Sequence, residues 1–87
     1  MTRYRIEYAA KAHRQLMAVP EPHRSRIVAA IDALAIQPRA HGAIKLAGHD
    51  LYRIRVGEYR VIYAIHDKAV TVVVTSVGNR GDIYRRL

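Results

Sequence analysis

Residues 51–66 have the sequence LYRIRVGEYRVIYAIH, in which two alternating runs are separated by Gly57-Glu58. Alternation of apolar and polar residues is typical of a strand with one buried face. A two-residue connection that contains glycine favours a tight turn between antiparallel strands. This stretch therefore predicts a hairpin of strands 51–56 and 59–66, in which Arg55 faces Arg60 and Arg53 faces Ile62.

A third strand is predicted after this hairpin, over residues 69–77. Its segment 70–75, VTVVVT, is rich in the β-branched residues that strands prefer. Asp67-Lys68 is interpreted as a second two-residue turn. The expected pairs are then Arg60 with Thr75, Ile62 with Val73, and Ala64 with Thr71.

The N-terminal half adds one strand and two helices. Residues 3–9 alternate like a strand, and residues 9–18 carry apolar positions at helical spacing. Pro20-Glu21-Pro22 interrupts the pattern, a second helix runs to about Ile36, and Pro38 ends it. A loop over 38–50 leads to the hairpin. The fold class predicted is α+β, with order β-α-α-β-β-β: a single domain over 1–87 with a helical hairpin on one face of a four-stranded, mainly antiparallel sheet.

The two faces of this sheet should differ in character. Successive side chains of a strand point to opposite faces, so the predicted register places one apolar set on the same face, which the helices should cover. This set is Tyr52, Ile54, Val56, Tyr59, Val61, Tyr63, Ile65, Val70, Val72 and Val74. The opposite face carries Arg53, Arg55 and Arg60, with no acidic residue to pair with them. Two interpretations remain open from the pattern, namely a solvated strand face and a preformed anion site.

The composition favours a polyanionic partner. Fifteen Lys and Arg against seven Asp and Glu give a net charge of +8, with a pI near 10.5. Cysteine is absent, which excludes disulfides and thiolate metal sites. No run approaches the ~20 apolar residues of a membrane span, and the N-terminus lacks a signal-peptide core. We therefore expect a cytoplasmic protein.

The sequence also limits the chemistry of any active site. The five histidines are scattered, and no metal spacing, phosphate-binding glycine loop, nucleophile elbow or carboxylate pair is present. RNA can be cleaved without a metal, because its 2′-hydroxyl can attack the adjacent phosphate when it is aligned and the added charge is held. Arg80, between Gly78 and Gly81, is expected to turn back toward Arg55 and Arg60, with the Tyr84 ring nearby. The prediction is a site for single-stranded nucleic acid that needs no cofactor.

The sequence resembles the RelE/ParE toxin superfamily, and more specifically its RelE branch. The segments that carry the resemblance are Lys45-Leu46-Ala47-Gly48, Tyr52-Arg53-Ile54-Arg55-Val56, Tyr59-Arg60-Val61-Ile62-Tyr63, Gly78-Asn79-Arg80 and Ile83-Tyr84. They extend over nearly the whole chain. The resemblance implies a microbial toxin that cuts the mRNA codon in the ribosomal A site and is neutralised by a co-transcribed antitoxin.

Residue by residue, the resemblance implies a site and its surroundings. The catalytic positions it implies are Arg53, Arg55, Arg60, Arg80 and Tyr84, and the RNA-binding positions are Lys45, Arg85 and Arg86. Positions 53 and 55 carry Arg where well-known members have Lys. Because a guanidinium stays protonated, it is a poor general base, and Tyr84 becomes the better candidate. Ala47 stands where some members have a basic residue, which weakens the case for strong rRNA contacts there.

The expected partners are mRNA, the ribosome with its rRNA, and an acidic, partly disordered antitoxin encoded by an adjacent gene. A toxin–antitoxin heterotetramer is one expected assembly, and no membrane is involved. Two alternatives stay open. The ParE branch shares the fold but poisons DNA gyrase, although Arg60, Arg80 and Tyr84 argue against that branch. The other alternative is a non-catalytic basic binding module.

Overall fold

The computed structural model describes residues 2–79 and shows two helices packed on a five-stranded sheet. The elements are β1 (Arg5–Tyr8), α1 (Ala10–Met17), α2 (His23–Ala33), β2 (Ile44–Lys45), β3 (Tyr52–Val56), β4 (Tyr59–His66) and β5 (Thr71–Asn79). The strand order is β1-β5-β4-β3-β2, with β1 parallel to β5 and the other pairs antiparallel. The predicted α+β class and element order are therefore confirmed, with one strand more than expected.

The extra strand is β2, a two-residue edge strand inside the segment predicted as a loop. Ile44 pairs with Arg53 and Lys45 with Tyr52, and both β2 residues are exposed. So short a strand has no alternation to detect, because a period of two needs several residues to show. The additional strand changes only the edge of the predicted sheet.

Both helices present residues four apart to the sheet. Ala12 and Leu16 of α1, and Ile27 and Ile31 of α2, are buried in one cluster with the sheet. From β4 and β5 this cluster takes Val61, Tyr63, Val72, Val74 and Val77. The second helix ends at Ala33 rather than near Ile36, and residues 34–36 continue as turns. Among the helices of residues 2–79, none has the length and apolarity that crossing a membrane would need.

The β3–β4 hairpin has the predicted register. Val56 pairs with Tyr59, Arg55 with Arg60, and Arg53 with Ile62. Gly57 has φ of +60°, the value that the first turn position of a type II′ hairpin requires and that glycine adopts without strain. Because the turn fixes the register, it also fixes which side chains share a face.

The β4–β5 hairpin differs from the prediction. The turn contains four residues, 67–70, rather than two, and Val70 closes it with φ of +49° and an N–H bond to the Asp67 carbonyl of 3.1 Å. Ala64 therefore pairs with Val73 instead of Thr71. The shift of two residues preserves parity, so Val72 and Val74 still face the helices as predicted, while Val70 lies in the turn.

A β-bulge at Thr75 then changes the register again. Tyr63 pairs with Val74 but Ile62 pairs with Ser76, so Thr75 has no partner on β4. The Thr75 hydroxyl donates to the Ile62 carbonyl at 3.1 Å. Past the bulge, Arg60 pairs with Gly78 rather than with Thr75 as predicted. The extra residue also turns Val77 toward the helices, where it is buried.

Candidate active site

Three arginines share the sheet face opposite the helices, as the register of β3 and β4 predicts. Arg55 and Arg60 are direct cross-strand partners, and Arg53 pairs with Ile62 two positions further along. Their exposure differs: Arg55 is exposed, Arg53 is half-buried, and Arg60 is 5% exposed. The three arginines therefore differ in their access to solvent: the Arg60 side chain is buried, and the Arg55 side chain lies at the surface.

Arg60 is the unusual member of this site. Its Nη1 donates to the Tyr59 carbonyl at 3.3 Å, and within residues 2–79 no carboxylate forms an ion pair with it. Next to it on the same face, Ile62 is fully buried and lies outside the helix-side cluster. This burial is not expected of a merely solvated strand face. Charges interact more strongly where water is excluded, so a buried guanidinium without a carboxylate suits a phosphate.

The end of β5 lies beside this cation. The third strand is predicted to end at Val77, but β5 continues to Asn79, which pairs with Tyr59, while Gly78 pairs with Arg60. The chain therefore reaches position 79 at the same end of the sheet as Arg55 and Arg60. The predicted site residues Arg80, Tyr84, Arg85 and Arg86 lie outside the described residues.

Lys45 is not brought to the arginines by the sheet register. It pairs with Tyr52, which packs against the helix-side cluster, whereas its neighbour Ile44 pairs with Arg53. Cross-strand partners share a face, so Lys45 projects from the edge on the helix side. The RNA contact predicted for Lys45 is therefore on the helix side of the sheet, opposite the arginine face. His66, exposed at the far end of β4, is also remote from the arginines.

Sequence reasoning missed a polar cluster at that far end. Arg39 donates to both oxygens of Asp67, at 3.2 and 2.9 Å, and the Tyr4 hydroxyl donates to the same carboxylate at 2.7 Å. Arg39 also donates to the Tyr52 hydroxyl at 3.3 Å. These contacts join residues 28 and 63 positions apart, so no local pattern signals them. The cluster attaches the loop after α2 to the β4–β5 turn.

A buried tyrosine extends this attachment into the core. Tyr63 is fully buried, stacks on Tyr52 with ring centroids 5.9 Å apart, and donates its hydroxyl to the Pro38 carbonyl at 2.7 Å. Burial is the main reason that the pKa of Tyr63 rises to about 12. The cluster and Tyr63 together hold the loop in place, and Asp67 lies roughly 20 Å along the strand direction from Arg60, at about 3.3 Å per strand residue. Their role is structural.

The Asp67 carboxylate should make stability depend on pH in the acid range. Hydrogen bonds from Arg39 and Tyr4 lower its pKa to about 2. A carboxylate with a folded pKa below its unfolded value, about 3.9, contributes stability above that value and loses it as the pH falls toward the folded one. We expect Asp67→Asn to lower the free energy of unfolding at pH 7, and the difference from the parent to shrink between about pH 4 and pH 2.

Urea unfolding at pH 7 and at acid pH measures this difference. Asp50→Asn is the matched control, because Asp50 is exposed and forms no ion pair among the residues described. A difference for Asp67→Asn that stays constant across the acid range would contradict the assignment.

The chain matches a known protein family over most of its length. The family model described as the ParE toxin of the type II toxin–antitoxin system, parDE, matches residues 4–84. A curated relative, Toxin RelG of Mycobacterium tuberculosis, is 33% identical over 91 residues, covering 95% of this chain and 98% of that protein. Sequence similarity therefore extends across the whole arrangement described above.

Solved structures show the same fold. The archaeal RelE–RelB complex from Pyrococcus horikoshii matches with a TM-score of 0.81 and 33% identity, covering 94% of this chain and 99% of that one. The intact E. coli RelBE toxin–antitoxin complex matches with a TM-score of 0.79 and 26% identity, covering 88% of this chain and 96% of that one. The likeness includes both helices and the sheet that carries the arginines.

Proposed function

The chain belongs to the RelE/ParE toxin superfamily of type II toxin–antitoxin systems, and from this premise we propose that it is an endoribonuclease that cleaves mRNA in the ribosomal A site. The observation that carries the proposal is the buried Arg60, which has no carboxylate partner among residues 2–79 and lies opposite Arg55. Such a pair is suited to hold a phosphate whose negative charge increases during reaction.

The chemistry of the proposed reaction is an in-line transfer at phosphorus. The 2′-oxygen bonds to the adjacent phosphorus while the bond to the 5′-oxygen of the next nucleotide breaks. The 2′-hydroxyl loses a proton and the departing 5′-oxygen gains one, which leaves a cyclic phosphate. Arg60 and Arg55 hold the non-bridging oxygens, and Arg53 extends the cationic face along the RNA backbone.

Three further roles start from the resemblance. Arg80 is assigned to the same phosphate or to the leaving oxygen. Tyr84 is assigned to the proton of the 2′-hydroxyl, because the arginines stay protonated and cannot accept it. Lys45, Arg85 and Arg86 are assigned to RNA outside the reacting group. On this proposal the protein acts in the cytoplasm, where the ribosomes are.

We also propose that a cognate antitoxin covers the site. The RelE proteins of P. horikoshii and E. coli were solved in complex with RelB antitoxins. This chain carries a net charge of +8, which favours an acidic segment that is disordered when free and folds on docking. A gene beside the toxin gene is the expected source, and a heterotetramer of two toxins and two antitoxins is the expected assembly.

A second candidate is a gyrase poison of the ParE type, which is favoured by the description of the matching family model. Induced expression distinguishes the two functions, because an endoribonuclease cuts mRNA whereas a gyrase poison traps gyrase on DNA. Mapping of mRNA 5′-ends should show cuts within translated codons, and a gyrase assay should show no trapped cleavage complexes. Toxicity with intact mRNA and trapped gyrase–DNA complexes would establish the second candidate instead. Mapping untranslated RNA in the same cells tests whether cleavage depends on the ribosome.

A further inference from the structure

A groove opens at the end of the sheet that carries Arg55 and Arg60. It has a volume of about 320 Å³ and lies between the C-terminal part of α1, the start of β4 and the end of β5. We call it the strand-end groove. Its lining residues are Gln15, Ala18, Val19, Tyr59, Val77, Gly78 and Asn79. None of them is charged, although Tyr59 precedes Arg60 and Gly78 pairs with it.

The groove exists because β1 ends before β5 does. The last β1–β5 pair is Tyr8 with Val74, and the chain then turns into α1. Beyond that point β5 has no strand on this side, and the Val77 N–H donates instead to Oε1 of Gln15 at 2.8 Å. Strand N–H groups alternate in direction, so the Asn79 N–H turns to the same side as that of Val77. The groove therefore contains main-chain polar groups as well as side chains.

The bond to Val77 also orients the Gln15 amide. A backbone N–H needs an acceptor, so the carbonyl oxygen of Gln15 is held at Val77 and its Nε2 remains as a donor. Gln15 is only half-buried, which leaves that donor accessible from the groove. The Nε2 donor of Gln15 is therefore held in a fixed position by a hydrogen bond between two residues that are 62 positions apart in the sequence.

An aromatic ring forms another part of the groove. Tyr59 packs against the core and lies 5.6 Å from the ring of His23, at the start of α2, with the planes inclined by 45°. A half-buried tyrosine held between the core and a second ring offers an ordered surface for stacking. Amide groups beside an aromatic ring, without charges, match the edge and face of a nucleobase.

We infer that the strand-end groove binds a nucleobase of the mRNA next to the scissile phosphate, with Gln15 reading its edge and Tyr59 contacting its face. This inference rests on the proposed function. The Arg60 guanidinium bonds to the Tyr59 carbonyl, which keeps the cation close to the backbone at this end of β4. Successive strand side chains lie on opposite faces, so the Tyr59 ring faces the helix side and Arg60 the other side, and the RNA passes around this end of the sheet to reach both. The groove then gives the cleavage a base preference.

Gln15→Glu tests the donor with little change of shape. Glutamate keeps an acceptor for the Val77 N–H but replaces the Nε2 donor with oxygen. Gln37→Glu is the matched control, since Gln37 is exposed and outside the groove. Tyr59→Leu removes the ring while keeping an apolar side chain. Each protein is compared on ribosomes programmed with one parent codon and all its single-base changes, by single-turnover cleavage rates.

We expect Gln15→Glu to change the ratio of rates between bases by about tenfold or more at one codon position, the size of a good base contact. Tyr59→Leu should flatten the preference at the same position, and Gln37→Glu should keep the parent profile. Equal slowing of all codons, or no change, would overturn the inference. An unchanged codon profile with weakened antitoxin binding would also overturn it and assign the groove to the antitoxin.

A parent protein that cleaves no codon would refute the proposed function instead. The groove is then tested by the NMR signal of the Gln15 side-chain amide, on addition of a trinucleotide blocked with 2′-O-methyl groups. A shift of that signal without one at Gln37 supports base binding independently of cleavage, and no shift overturns it.

Discussion

Replacing Arg60 with methionine is expected to lower the single-turnover rate of mRNA cleavage by about 100- to 1000-fold, the usual effect of losing one preorganised charged donor. Methionine keeps an apolar stem in the buried position and removes only the cation. The loss should be large because Arg60 is 5% exposed, and water cannot take over its role. Arg60→Lys should recover part of the rate, since it restores the charge without the planar fork.

The controls for this prediction separate chemistry from folding. Arg26→Met makes the same change at an exposed position of α2, and it should leave the rate near that of the parent. Thermal unfolding and antitoxin affinity should change little for Arg60→Met. A folded Arg60→Met protein that cleaves at the parent rate would show that the phosphate is held elsewhere, and it would return Arg60 to a structural role.

The arginine face could be predicted because its geometry depends on local sequence. Gly57-Glu58 fixes the β3–β4 turn, and strict alternation then assigns Arg53, Arg55 and Arg60 to one side. Parity, however, only says which face a side chain is on. It carries no information about depth, so the burial of Arg60 and Ile62 could not be inferred.

The β4–β5 register could not be predicted, for a different reason. Asp67 forms part of a four-residue turn whose geometry includes a bidentate bond from Arg39, a residue 28 positions away. The bulge at Thr75 is stabilised by the bond to the Ile62 carbonyl, and the strand after it by Gln15 of α1. Both features depend on contacts between elements. The error moved the expected partner of Arg60 from Gly78 to Thr75 without changing the face of Val72 or Val74.

The β4–β5 register determines which residue stands opposite Arg60 and where β5 ends. With Thr75 opposite Arg60, a side chain would stand beside the guanidinium, and the chain would leave the sheet earlier. In the structure the partner is Gly78, and β5 remains a strand up to Asn79 beside Tyr59. The segment that follows thus begins at the level of the two paired arginines. That position is what the proposed roles of Arg80 and Tyr84 require of the fold.

The proposed reaction also requires a group that accepts the proton of the 2′-hydroxyl. A guanidinium is a poor general base, so the arginines of the site can hold charge but are not suited to accept this proton. Tyr84 is the remaining group that the resemblance assigns to the site. A phenol hydroxyl can release a proton and take one up again, which makes tyrosine suited to acid–base chemistry. Proton transfer is therefore the role that we assign to its hydroxyl.

Tyr84→Phe is expected to lower the single-turnover rate on programmed ribosomes by about 100-fold or more, within the usual range for general acid–base catalysis. Phenylalanine keeps the ring for stacking on a base and deletes only the hydroxyl. The rate of Tyr84→Phe should therefore fall close to that of Tyr84→Ala. If the residue only stacks, Tyr84→Phe should stay near the parent and only Tyr84→Ala should be slow.

Tyr8→Phe makes the same deletion on the helix side of the sheet, away from the arginines, and it should leave the rate unchanged. The pH dependence gives an independent check, because loss of a titrating base removes the rise of the rate with pH that the parent should show. A Tyr84→Ala protein with undiminished cleavage would exclude Tyr84 from the reaction. In that case a site made only of arginines would hold the phosphate without a proton acceptor of its own, and the gyrase alternative would have to be tested again.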